Sequence, residues 1–311
     1  MKSLKGRDLL TLLDFTGEEV RSILEFARNM KLEFKAGRLH NYLAGKSIAL
    51  IFQKPSTRTR VSFDVGIYQL GGHPIYLGWS ELQLGRGETI ADTARTLDRY
   101  VDGIVARVYK HFDLEELARY ADVPVINALS DLYHPCQALG DYLTMWEKTG
   151  RTEGLNVVFI GDGVNNVCSS LIVGAAKLGA NITVCSPKKY WPRPELLEAV
   201  KKDFEVHGGQ LRLAESPTEA VKDADVIYTD VWVSMGMEAE AEERLKVFQP
   251  YQVNSQLLSK APDDVMVMHC LPAKRGLEAT DEVLDGPHSI IWDQAENRLH
   301  AQKAVLALLI P

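Results

Sequence analysis

Residues 54–60 read Lys-Pro-Ser-Thr-Arg-Thr-Arg, directly after the apolar run Ser-Ile-Ala-Leu-Ile-Phe at 47–52. Hydroxyls and guanidiniums gathered where a strand gives way to a helix suit an anion such as phosphate. Backbone N–H groups and the positive end of the helix dipole would face it. The plainer reading of the same residues is a Ser or Thr N-cap followed by solvated arginines. Other groups with chemistry of their own follow. Arg107 stands at the end of the apolar run 103–108, and His134 opens His-Pro-Cys-Gln (134–137). Asp230 opens Asp-Val-Trp-Val-Ser-Met-Gly (230–236), and Cys270 lies within His-Cys-Leu-Pro (269–272). Taken singly, each has an ordinary explanation: an ion-paired arginine, a loop histidine, a capping aspartate, a packed thiol.

Their positions relative to the surrounding elements are less ordinary. Thr16 and Glu19 form a capping-box pattern that opens a helix reaching to about Ala36. Short apolar strands at 47–52, 74–78, 103–108 and 124–128 then alternate with helical patterns near 58–70, 88–99, 113–121 and 135–148. A polar, glycine-bearing break at 147–154 follows, and the alternation resumes. The later strands are expected at 156–161, 181–186, 211–214, 226–230, 265–269 and 289–292, with helices near 166–178, 192–207 and 295–309. This pattern predicts an α/β chain of two doubly wound domains, each a parallel sheet flanked by helices. The expected domains are 1–149, joined by a returning C-terminal helix at 295–311, and 150–294. Ligands of such sheets bind beyond the C-terminal strand ends, where the residues named above fall.

Composition narrows the partners. The 311 residues are 46% hydrophobic, enough for substantial cores, and the net charge is −7. That charge argues against nucleic acid, so an anionic ligand must be held by a local pocket. Cys136, Cys168, Cys185 and Cys270 are scattered without metal-ligand spacing, which predicts a reducing, cytoplasmic setting and no metal site. The N-terminal stretch is broken by Asp8 and Asp14 and does not read as a signal peptide; no run is long enough to span a membrane. Gly-Asp-Gly-Val-Asn-Asn (161–166) invites a dinucleotide reading, but Asn166 replaces the third glycine of that fingerprint. Either Asn165 or Asn166 would also serve as a helix N-cap.

In this order, Ser-Thr-Arg-Thr-Arg (56–60), His-Pro-Cys-Gln (134–137), the Asp230 segment and His-Cys-Leu-Pro (269–272) resemble the aspartate/ornithine carbamoyltransferase family along essentially the whole chain. Ser-Met-Gly and His-Cys-Leu-Pro resemble its ornithine branch. The resemblance implies a cradle for carbamoyl phosphate from Ser56, Thr57, Arg58 and Thr59, with Arg107, His134, Pro135, Cys136 and Gln137 around its carbonyl. It adds Cys270, Leu271 and Arg298 to that ligand's surroundings, and Gln83 as a residue reaching a neighbouring subunit. It implies ornithine binding by Asn166, Asp230, Ser234 and Met235, although the inserted Val164 leaves the choice between Asn165 and Asn166 open. Asp230 and Cys270, with Arg107 and His134, would carry the chemistry. The implied reaction converts L-ornithine and carbamoyl phosphate into L-citrulline and phosphate, without metal or organic cofactor, in a homotrimer or a multiple of trimers. Rival readings are a carbamoyltransferase for another amine, a non-catalytic homologue, and a dinucleotide-dependent oxidoreductase. The Ser-Met-Gly segment, the full set of reactive residues and the broken glycine fingerprint weigh against these in turn.

Overall fold

The computed structural model describes residues 3–234 and 237–311. The chain divides into two compact units, residues 1–143 with 297–311, and residues 144–296.

In the first unit, helix α1 (Gly17–Lys35) begins at the capping box read from the sequence. The Glu19 N–H donates to Thr16 Oγ1 and the Thr16 N–H donates to Glu19 Oε2. Strand β1 (Ser47–Phe52) leads into α2 (Thr57–Gln69), and β2 (His73–Gly78) follows. Next come α3 (Ile90–Leu97), β3 (Gly103–Arg107), α4 (His111–Tyr120), β4 (Val125–Leu129) and α5 (Pro135–Thr149). The four strands form one parallel sheet in the order β2-β1-β3-β4. Burial runs unbroken through β3, as expected for a strand covered on both faces. The winding reverses between β1 and β3, and a doubly wound sheet opens its ligand crevice at that point.

The second unit repeats the plan. Its elements are β5 (Asn156–Ile160), α6 (Asn166–Leu178), β6 (Asn181–Cys185), α7 (Pro194–His207), β7 (Leu211–Ala214), the short α8 (Pro217–Ala220) and β8 (Val226–Thr229). After these come α9 (Ala241–Phe248), α10 (Ser255–Leu258), β9 (Met266–His269), α11 (Asp281–Leu284) and α12 (Ile291–Leu309). The parallel sheet runs β7-β6-β5-β8-β9, with its reversal between β5 and β8. The division into units passes through α5 and α12, so the last 15 residues belong to the first unit.

One expected strand is absent from this sheet. Residues 289–292 look strand-like because Ile290 and Ile291 are β-branched and apolar, but only Ser289 makes a single bridge, to Val267. Ile290 and Ile291 are instead buried where α12 starts, four residues earlier than expected. Burial was the readable signal here, and a helix start satisfied it as well as a strand would.

Close packing surrounds Gly140 and Gly163. A Cβ on Gly140 of α5 would sit 3.3 Å from the Arg298 backbone nitrogen, so the glycine lets α12 approach. A Cβ on Gly163 would lie 2.6 Å from the Tyr190 carbonyl oxygen. The second glycine of Gly-Asp-Gly therefore serves the protein's own packing, without need of a nucleotide.

Candidate functional site

In the first unit, register sets the arrangement. Phe52 at the end of β1 pairs with Arg107 at the end of β3, and Arg107 pairs with Leu129 at the end of β4. Residues following these strands therefore emerge side by side at one sheet edge. Ser56 caps α2, its Oγ accepting from the Thr59 N–H at 3.2 Å. The plain capping reading is thus correct for Ser56, and it also fixes the first turn of α2 on which Thr57, Arg58 and Thr59 stand. Thr57 is exposed and Arg58 half-buried, whereas Thr59 is buried. Thr59 Oγ1 accepts from Arg107 at 3.5 Å and from Arg298 at 3.4 Å. Arg298 also donates to Gln137 Oε1, and Gln137 in turn donates to Asp141 at 2.7 Å.

His134, Pro135 and Gln137 are buried beside these arginines. Burial first, and then the charges of Arg298, Arg107 and Arg58, hold the His134 imidazole well below its ordinary value. A neutral imidazole among guanidiniums is a hydrogen-bond donor to an oxygen, while the guanidiniums supply the positive charge. Cys136 is different. Its thiol donates to the Asn127 carbonyl at 3.5 Å, and burial pushes it up to about 12, so it stays protonated. Gln83 is exposed on a short turn, Gln83–Arg86.

This arrangement predicts acid sensitivity. Above about pH 6.5, the ordinary histidine value, neither the folded nor the unfolded chain protonates His134. Below it the unfolded chain takes up a proton that the folded site refuses, so stability falls as pH falls toward the depressed folded value. Thermal unfolding between pH 7.5 and 5 should show a steeper loss for the parent than for His134→Asn. Parallel slopes would reject the cluster as the cause.

In the second unit, Ile160, Thr229 and His269 stand in register at the ends of β5, β8 and β9. Asp230 and Cys270 are the next residues on adjacent strands, and the Cys270 thiol donates to Asp230 Oδ1 at 3.1 Å. The same carboxylate oxygen accepts from the Val231 N–H at 2.8 Å, and Asp230 Oδ2 accepts from Asn165 Nδ2 at 2.8 Å. Asn165 is also the N-cap of α6, its Oδ1 accepting from the Val167 N–H at 2.6 Å. Asn166 is the first helical residue and is half-buried, as is Ser234. Met235 lies outside the described residues.

His269 organises the turn beyond β9. The Leu271 N–H donates to His269 Nδ1 at 2.8 Å, so that nitrogen carries no proton and Nε2–H donates to Glu278 Oε1 at 3.0 Å. Glu278 accepts as well from the Lys274 N–H at 2.6 Å. Leu271 has the left-handed φ of 59°, uncommon for a leucine, and its bond to His269 helps hold it there. Asp230, His269 and Cys270 bring three potential ligand atoms within 4.8 Å. Both nitrogens of His269 are engaged, and so are both Asp230 oxygens and the Cys270 thiol.

Asp141, Asn165, Glu278 and Gln294, which hold the expected residues in place, were not assigned as site residues from the sequence. Gln294 accepts from the His269 N–H at 2.9 Å and donates to the Tyr228 hydroxyl at 3.0 Å. Only Asn165 carried a readable signal, as a cap residue after a strand.

The first unit thus gathers Arg58, Arg107 and Arg298 around Thr59 and His134, and the second sets a carboxylate beside a thiol. Residues 7–147 match the family model described as "Aspartate/ornithine carbamoyltransferase, carbamoyl-P binding domain", and residues 153–309 match the "Asp/Orn binding domain" of the same family. The chain belongs to the aspartate/ornithine carbamoyltransferase family. It is similar to the ornithine carbamoyltransferase of Pyrococcus horikoshii, with 60% identity over 99% of this chain and 97% of that one. The solved structure of ornithine carbamoyltransferase from Pyrococcus furiosus superposes with a TM-score of 0.96 at 59% identity, covering 100% of this chain and 99% of that one. That from Thermus thermophilus has a TM-score of 0.88 at 42% identity, covering 98% and 99%.

Proposed function

We infer that the chain is an ornithine carbamoyltransferase, which joins the carbamoyl group of carbamoyl phosphate to the side-chain amine of L-ornithine. The observation that carries the choice of an amine acceptor is the Cys270–Asp230 contact of 3.1 Å at adjoining strand ends. The identity of 60% to an ornithine carbamoyltransferase over nearly its full length supports the same reading.

In this mechanism the phosphate rests on the first turn of α2, among Ser56, Thr57, Arg58 and Thr59. Arg58 adds a planar charged fork to the helix N-terminus and hydroxyls. Arg107, His134 and Gln137 surround the carbonyl oxygen, and Arg298 adds charge. That oxygen gains negative charge as the amine attacks, so fixed donors stabilise the transition state more than the ground state. The ornithine δ-ammonium cannot attack until it loses a proton. Asp230 orients it, and Cys270 beside Asp230 lies where the proton leaves. The free amine adds to the carbonyl carbon, and as the tetrahedral adduct collapses the C–O bond to phosphate breaks and the departing phosphate takes the second amine proton. The α-amino and α-carboxylate groups are assigned to Asn166, Ser234 and Met235, and Asn165 is assigned to hold Asp230. Pro135 and Cys136 are assigned to the carbamoyl phosphate side. The chemistry requires no metal or organic cofactor, because phosphate is already a good leaving group.

The family resemblance assigns Gln83, exposed here, to the site of a neighbouring subunit, and with it a homotrimer or multiple of trimers. Four free cysteines, three of them buried, fit a reducing cytoplasm. No helix among the described residues is long and apolar enough to cross a membrane.

The decisive experiment is a carbamoylation assay with ornithine, putrescine, aspartate and N-acetylornithine side by side. Citrulline formation well above the other three products is expected, and preference for another amine would overturn the assignment. Cys270→Ser separates packing from chemistry. We expect lower turnover, weaker ornithine binding and a shifted pH–rate profile, with carbamoyl phosphate affinity nearly intact. A folded variant with parental kinetics from pH 6 to 9 would leave Asp230 acting alone.

A further inference from the structure

We propose that Asp141 is a positioning residue for carbamoyl phosphate, fixing which end of the Gln137 amide meets Arg298 and so the aim of that guanidinium; this rests on the carbamoyl phosphate site assigned above. Asp141 is fully buried in α5, one helical turn beyond Gln137. Gln137 Nε2 donates to Asp141 Oδ1 at 2.7 Å, and Gln137 Oε1 accepts from one terminal nitrogen of Arg298. The other terminal nitrogen of Arg298 makes a longer bond, 3.4 Å, to Thr59 Oγ1, which also accepts from Arg107 at 3.5 Å. A hydrogen-bonded chain thus runs from a buried carboxylate, through one amide, to two guanidiniums. Every member of it belongs to the first unit.

The two ends of an amide have nearly the same shape and opposite hydrogen-bonding character. Packing cannot choose between them at Gln137, so its partners must. A guanidinium only donates and a carboxylate only accepts, so Arg298 and Asp141 select the same orientation from opposite ends. Turned over, the amide would set NH2 against guanidinium and oxygen against carboxylate. Gly140 makes the meeting possible. A Cβ there would stand 3.3 Å from both Cδ and the backbone nitrogen of Arg298, so the bare backbone lets α12 close on α5 beside Gln137.

Helix packing alone is a poor reason for a carboxylate at this place. Burying one has a desolvation cost that an apolar side chain avoids. What Asp141 adds is direction. With one end of its fork held by Gln137, Arg298 keeps its remaining N–H groups on fixed lines. Donors fixed in advance need no reorganisation when charge develops on a bound ligand.

The test uses the full chain, with calorimetric affinity for carbamoyl phosphate, steady-state constants for each substrate and thermal unfolding. Asp141→Ala removes the acceptor, and Asp141→Asn keeps an oxygen for Gln137 while removing the charge. Leu117→Ala, on the buried face of α4, is a destabilised control. We expect Asp141→Ala to weaken carbamoyl phosphate binding tenfold or more, and Asp141→Asn to stay within about threefold. KM for ornithine, at saturating carbamoyl phosphate, should stay within about twofold in both. Leu117→Ala should lower Tm and leave both substrates' constants unchanged. Because Asp141 acts through Gln137, adding Asp141→Ala to Gln137→Ala should weaken carbamoyl phosphate binding no further. Should Asp141→Ala fail to fold, Asp141→Leu removes the acceptor while filling the space. Parental carbamoyl phosphate affinity without the acceptor, equal losses in the Ala and Asn variants, or a further loss in the double variant would overturn the proposal and leave the functional reading intact. A parent chain that makes no citrulline would overturn the functional reading, and the carbamoyl phosphate affinities would still decide this proposal.

Discussion

Asp230→Ala should lower turnover with ornithine by on the order of a thousandfold, about 4 kcal/mol in transition-state stabilisation. The carboxylate is pinned by three donors, the Val231 N–H, the Cys270 thiol and Asn165 Nδ2. It therefore presents one fixed direction to a cationic amine. Removing it takes away the charge that attracts the ammonium and the orientation that aims the freed lone pair. It also leaves Asn165 Nδ2 and the thiol without their acceptor, and an unsatisfied buried donor has a cost of its own. Asp230→Asn is a stricter probe. It keeps the volume, but its amide NH2 would meet a donor on whichever side it faces. Both variants should retain carbamoyl phosphate affinity within about threefold, since none of those donors belongs to the arginine cluster. Turnover within tenfold of the parent, measured on folded protein, would remove Asp230 from the mechanism.

Arg58→Ala should weaken carbamoyl phosphate binding by about 3 kcal/mol, roughly a hundredfold or more, and lower turnover with it. The chain carries a net charge of −7, so a dianion gains nothing from the overall field and depends on the pocket. Arg58 stands on the first turn of α2, where a forked cation adds to the N–H groups and the dipole. Arg58→Lys should recover part of the affinity, because a point charge replaces the fork without its paired geometry. The His134 imidazole gives a second readout. Arg58 is one of the three charges that depress it, so the variant should move its titration upward, toward the ordinary value. Calorimetry with carbamoyl phosphate or a phosphonate analogue tests the first expectation, and imidazole resonances followed against pH test the second. Parental affinity in Arg58→Ala would place the phosphate elsewhere.

The two predictions draw on residues that were legible in the sequence, and the reason is geometric. In parallel sheets the strand ends gather at one edge, so residues that follow apolar runs are brought together by register alone. Ser56, Arg107, His134, Asp230 and Cys270 were found that way. The residues that hold them were not. Asn165 meets Asp230 across 65 positions, and Arg244 meets Asp162 across 82, through contacts that no local pattern announces. Glu278 is only nine residues from His269, yet it is the turn through Leu271 that brings the two together. Strand 289–292 failed for the opposite reason: a local signal was present, but burial at the start of α12 satisfied it. The helix α9 was missed because Glu-rich, weakly apolar residues at 238–243 conceal an arginine that is buried.

The contribution of residues 297–311 to the first unit has a consequence for biosynthesis. Residues 144–296 form a continuous stretch and can fold as soon as they emerge from the ribosome, whereas residues 1–143 must wait for a helix made after that entire stretch. Until then Gly140 has no backbone packed against it, Gly103 lacks the Ile310 side chain that covers it, and Thr59 and Gln137 lack Arg298. The bonds by which Arg298 joins Thr59 and Gln137 can therefore form only after the whole of the second unit has been made.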